Sequence, residues 1–146
     1  MALVKKNRVL QWPLTAEFTF NLTDTMVATD GVARAFGASG AAAIFDVVGL
    51  PPNSVVTGGD VTVETVSNDS GTATVKVGDT ASDARYLSAT SIKSAARTAL
   101  VPTGFRGAGE DLRLTFANQN GDATAGKVTV RVTYIVSGRA NETQIN

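Results

Sequence analysis

Strict alternation of apolar and polar side chains is the feature that most restricts what this chain can become. In KVTVRVTYIV, residues 127–136, Val128, Val130, Val132, Tyr134 and Val136 fall on one side and Lys127, Thr129, Arg131 and Thr133 on the other. A period of two belongs to a strand with one wet and one buried face, and a helix cannot gather such residues onto one stripe. The pattern recurs in LTAEFTFNLTD, where Leu14, Ala16, Phe18, Phe20 and Leu22 alternate with Thr15, Glu17, Thr19 and Asn21. It recurs again in DVTVETVS (Val61, Val63, Thr65), TATVKVG (Ala73, Val75, Val77) and DLRLTFAN (Leu112, Leu114, Phe116).

Turn residues divide these runs. Asn68-Asp69-Ser70-Gly71 tolerates positive φ, so residues 60–78 read as a β-hairpin. NQNGDATAG makes residues 110–136 a second hairpin with a long loop. The apolar run at 41–48 reads as a strand closed by Pro51-Pro52-Asn53, which cannot continue a ladder, and the next strand begins at 55–57. LSATSIKSAARTAL reads as irregular strand and loop. A helix is the alternative there, because Ala89, Ile92, Ala96, Ala99 and Leu100 have helical spacing after a capping Ser88. Six to eight short strands with Gly, Pro and Asn between them imply an all-β, antiparallel β-sandwich of jelly-roll-like form. Phe18, Phe20, Phe45, Phe116 and Tyr134 fall on inward faces and are assigned to its core. The expected organisation is an N-terminal arm over 1–13, a sandwich domain over 14–137 and a C-terminal tail over 138–146.

With 146 residues the chain can bury roughly 70% of its unfolded surface without covalent staples. It has no Cys and no His. Disulfide frameworks, thiol nucleophiles, imidazole acid–base chemistry and the common zinc sites are thereby removed. Thirteen basic residues balance thirteen acidic ones, so no overall field draws the chain to nucleic acid or anionic lipid. No apolar run approaches the ~18 residues of a membrane span, and the chain is expected to be soluble and made in the cytosol. Sequons at Asn21, Asn68 and Asn141 mean little without a secretory signal.

Oxygen ligands are what the sequence does offer. Asn118, Asn120 and Asp122 stand at alternate positions, but the bidentate Glu of a calcium loop is missing and the flanks are strands. Asp79 and Asp83, in VGDTASDARYLSA, lack a third acidic ligand close by. A glycosidase needs two carboxylates across a cleft, whereas Glu64, Asp69, Asp79, Asp83, Glu110 and Asp111 read as solvated turn or strand-face residues. Ser91 or Ser94 beside Lys93 has no surrounding nucleophile pattern, and GASGAAA lacks the Lys of a phosphate loop. The expectation is therefore no enzyme and no cofactor or metal. What is left is surface, above all the two ends, MALVKKNRVLQWPL and SGRANETQIN, where Trp12 is a candidate anchor or a lid over the sandwich end.

The order of segments adds a resemblance. VVGLPPNSVVTGGDVTVETV, then VGDTASDARYLSATSIKSAARTAL, a Gly-rich stretch, DLRLTF and GDATAGKVTVRVTYIV together resemble the small β-sandwich virion proteins of tailed double-stranded DNA phages, especially capsid decoration or cement proteins, over about residues 44–136. The resemblance implies a jelly-roll-like protein on the outer surface of the head, bridging major capsid subunits and self-associating as a homodimer or homotrimer. It implies no nucleic-acid or membrane partner. Candidate contacts are Lys5, Lys6, Arg8, Trp12 and Arg139. A tail, neck or fibre component is an alternative, as is a carbohydrate- or host-surface-binding module, for which Trp12, Tyr86 and Phe105 are the few aromatic candidates.

Overall fold

The computed structural model describes residues 11–139, and within them all regular structure is strand. Ten strands follow one another: β1 (Leu14–Asn21), β2 (Thr25–Val27), β3 (Ala33–Ala35), β4 (Ala43–Gly49), β5 (Ser54–Thr65), β6 (Ala73–Gly78), β7 (Leu87–Ser91), β8 (Arg97–Ala99), β9 (Asp111–Asn118) and β10 (Lys127–Val136). They form two four-stranded antiparallel sheets, ordered β1-β10-β5-β8 and β4-β9-β6-β7, with β2-β3 as a separate ribbon. The protein is thus an all-β sandwich.

Alternation decides which faces meet. Phe20, Val128, Val130, Val132, Val61 and Val63 of the first sheet are buried, as are Phe45, Leu112, Leu114, Phe116, Val75 and Val77 of the second. Their wet-side neighbours Thr15, Glu17 and Thr19 stay exposed. Phe36, directly after β3, is the hub of the aromatic core, with ring centroids 4.3 Å from Phe20, 4.5 Å from Phe45 and 5.7 Å from Phe116. Phe18 and Tyr134, assigned to the core from sequence, are half-buried near the rim.

Strand pairing departs from the sequence expectation at both hairpins. β5 and β6 lie in opposite sheets, and so do β9 and β10. Two strands that face each other across a core carry the same alternation as two strands side by side, so the pattern specifies the buried face and leaves the hydrogen-bonding partner open. The turn chemistry at 68–71 is real but serves another end. Asn68 Oδ1 accepts the Thr124 and Ala125 N–H groups at 2.9 and 3.1 Å, which ties the β5–β6 crossing to the β9–β10 crossing. Residues 88–100 hold most of β7 and all of β8, in line with the irregular-strand reading. Ile92 and Leu100 are buried, whereas Ala89, Ala96 and Ala99 are exposed and form no helical stripe.

The pairs are nested: β1 with β10, β4 with β9, β5 with β8, and β6 with β7. Register places the β4–β5, β6–β7 and β8–β9 connections at the same end as the start of β1 and the end of β10. The opposite end holds the β2–β3 ribbon and the β5–β6 and β9–β10 crossings.

Candidate interaction surface

Pro13 precedes β1, and the ladder between β1 and β10 begins with Leu14 opposite Tyr134. One step further out Trp12 would face Val136, but the side chain of Gln11 takes that place. Its Nε2 donates to the Val136 carbonyl at 2.6 Å, and its Oε1 accepts the Val136 N–H at 2.5 Å. A carboxamide has the donor and acceptor of a peptide group, so Gln11 extends the ladder with its side chain while the backbone turns away. Gln11 Nε2 also donates to the Arg139 carbonyl at 2.7 Å, which fastens the entering and leaving chain at one corner. Trp12 has no place in the ladder and is 76% exposed. Of the candidate contacts, the structure thus brings Trp12 and the exposed Arg139 to the same corner; Lys5, Lys6 and Arg8 lie outside the described residues.

The acidic stretch after β6 is internally satisfied. Asp79 Oδ1 accepts the Ala81 and Ser82 N–H groups, both at 2.9 Å, and the Asp79 N–H donates to the Ser82 carbonyl at 2.8 Å. Arg85 makes a two-point ion pair with the same carboxylate and lays its guanidinium 3.6 Å from the centre of the Phe105 ring. Burial alone would raise the Asp79 pKa, but the Arg85 pair and the two N–H donors outweigh it and hold the carboxyl below the ordinary range. Asp83 pairs instead with Lys76 at 2.9 Å, in solvent. Tyr86 and Leu87 are buried, and burial pushes the Tyr86 phenol up.

The remaining oxygen-rich positions are engaged separately. Asp122 Oδ1 accepts the N–H and Oγ–H of Ser39 at 2.8 and 3.0 Å, which lowers its pKa. Asn118 turns its Nδ2 toward the Phe36 and Ala38 carbonyls, and the Asn120 carbonyl accepts from Ser70. Lys93 Nζ donates to the Gly71 carbonyl at 2.6 Å, away from both neighbouring serines. Asp69 and Asp79, read from sequence as solvated, are both 4% exposed. Each accepts the N–H of the residue two positions on, so burial comes with the turn each one builds.

The wet face of the first sheet is a closed polar surface. Thr19 bonds Thr129 at 2.9 Å, Thr129 donates to Glu64 at 2.8 Å, and Lys127 pairs with Glu64 at 2.6 Å. Arg131 lies between Glu17 at 2.6 Å and Asp60 at 3.3 Å, and Arg97 also reaches Asp60. Opposite charges alternate across four strands and leave no field of one sign. On the second sheet Arg113 holds Asp46 at 2.7 and 3.2 Å.

The exposed large apolar side chains are scattered: Trp12 and Leu14 stand at the start of β1, Val27 and Val32 at the β2–β3 ribbon at the opposite end, and Val66 and Val101 apart from both. Trp12 is legible in the sequence as an aromatic beside Pro13 ahead of the first alternating run. Gln11 is not, because a side chain standing in for a peptide group has no local pattern, and neither is the β2–β3 ribbon, whose three-residue strands are too short to show a period.

No protein-family model matches this sequence, and no curated protein sequence matches it. Solved structures do share the fold. A chain of the cyanophage Pam1 capsid asymmetric unit aligns with a TM-score of 0.58 and 22% identity, over 85% of this chain and 84% of that one. A chain from the acidic stable capsid structure of Helicobacter pylori bacteriophage KHP30 aligns with a TM-score of 0.62 and 15% identity, over 92% of this chain and 95% of that one. A chain from the capsid of Ralstonia phage GP4 gives 0.50 and 15%, over 86% of each. At these identities the likeness is one of fold.

Proposed function

We propose that this chain is a virion structural protein of a tailed phage: a decoration or cement protein on the outer surface of the head that stabilises the shell by bridging major capsid subunits. The observation that supports it is the likeness to chains of three phage capsid structures, which in each case runs over most of both chains. The nested strand pairs are consistent with it, and we read them as a jelly roll.

The physical design suits a scaffold better than a catalyst. Side-chain chemistry is spent on turns and ion pairs within the fold, while the contact-forming group at the entry corner, Trp12, projects into solvent. A large, stiff aromatic is a strong anchor once it finds a pocket on a neighbour. Lys5, Lys6, Arg8 and Arg139 are the charged residues we propose as further contacts to the capsid. Each contact can be modest, because copies tied to a lattice at several points hold by effective concentration. The reading requires no cofactor, nucleic acid or membrane.

Co-sedimentation of the purified protein with capsid shells assembled without it tests this reading. Saturable pelleting at a fixed ratio to the major capsid protein is expected; absence of pelleting at any concentration would overturn it.

A further inference from the structure

The outer side of β1 is an unpaired sheet edge among the described residues. The Leu22 N–H donates to the Gly126 carbonyl at 2.9 Å, which continues the β1–β10 register by one step. In an antiparallel ladder the hydrogen-bonding residues alternate, so Leu14, Ala16, Phe18 and Phe20 turn their peptide groups toward β10. Thr15, Glu17, Thr19 and Asn21 turn theirs outward. The Asn21 N–H is already taken by Asp24 Oδ2 at 2.7 Å, so the open donors are Thr15, Glu17 and Thr19.

The other sheet edges are blunted. β8 has three residues, β7 pairs with β6 through an irregular register, and β4 has a register shift and gives its Ile44 carbonyl to the Thr29 N–H. β1 has eight residues in unbroken register and contains no Lys and no Pro. Such an edge invites another strand.

We propose that β1 is a self-association surface: β1 of a second copy adds antiparallel about a two-fold axis at Ala16, joining two four-stranded sheets into one of eight. Complementarity on the edge selects the second copy and the register. An axis at Glu17 would set two carboxylates opposite each other. An axis at Phe18 would place Thr15 against Asn21, whose N–H is occupied. With the axis at Ala16, Thr15 faces Glu17 of the second copy as a hydrogen-bonded pair, and the exposed Leu14 faces the half-buried Phe18.

Because the chain has no cysteine, a single introduced thiol reports the register. Ala16 would form a non-hydrogen-bonded pair with its own copy, with Cα atoms about 4.5 Å apart, within disulfide range. Oxidised Ala16→Cys should therefore give a covalent dimer. Thr19→Cys should not, since its two copies lie about 20 Å apart along the strands. Thr15→Pro removes an outward N–H from each copy and leaves the backbone ladder to β10 intact, losing there only the 3.3 Å hydroxyl contact with Thr133, and raises the dimer dissociation constant about thirtyfold in sedimentation equilibrium. A monomeric mass at every concentration, equal cross-linking at 16 and 19, or a folded Thr15→Pro variant that dimerises unchanged would overturn the proposal. If Thr15→Pro does not fold, the two cysteine variants decide alone. All readouts use the isolated protein, so the edge can fail while shell binding stands, and the reverse.

Discussion

Asp79 illustrates how a residue that looks like a ligand becomes a fastener. Its carboxylate closes a turn through two backbone N–H groups and holds Arg85, which in turn covers Phe105. Removing it strands a largely buried guanidinium and two donors, so Asp79→Ala should destabilise the protein by about 3 kcal/mol in urea unfolding. Asp83→Ala, whose pair with Lys76 lies in solvent, should change stability by less than about 0.5 kcal/mol. The same carboxylate sets a pH dependence. Its pKa is lower in the folded state, so its contribution is present above the ordinary carboxylate range and is lost as pH falls through the folded value. With no histidine to titrate, stability should be nearly flat between about pH 5.5 and 8 and fall on acidification, and the fall should be shallower in Asp79→Asn. Thermal unfolding across that range checks it. From sequence, Asp79 reads as a solvated turn residue after a strand, with nothing to single it out from Asp83. Its burial was not legible, because it depends on Arg85 and the loop folding back over it.

Among the elements, periodicity identified the long strands and their inward faces, and composition excluded the common catalytic chemistries. Partnership was what it missed. Val61, Val63, Val75 and Val77 alternate identically whether β5 and β6 pair or face each other, and only the crossing loops, knotted by Asn68 to Thr124 and Ala125, distinguish the two. The β2–β3 ribbon escaped notice for a different reason: its strands are three residues long, and its importance lies in Phe36 just beyond it. Since Phe36 is the ring against which Phe20, Phe45 and Phe116 all pack, Phe36→Ala should cost about 4 kcal/mol in chemical denaturation. That is comparable with truncating any long-strand aromatic, although no strand period points to this residue.

At the scale of the whole molecule, the proposed attachment through Trp12 is separable from folding, because the corner that carries Trp12 is outside the core. Trp12→Ala should leave the unfolding midpoint unchanged and weaken pelleting with bare capsid shells by about thirtyfold, the effect of losing a single buried aromatic anchor. Gln11→Ala would test the same corner less cleanly, since it also frees the end of β10. The most direct measurement of the central claim is cryo-electron microscopy of the intact particle. Density for this sandwich is expected to repeat over the outer surface of the icosahedral shell, with the Trp12 corner against a major capsid subunit. Density confined to the tail vertex, or no density for this chain on the particle, would contradict it.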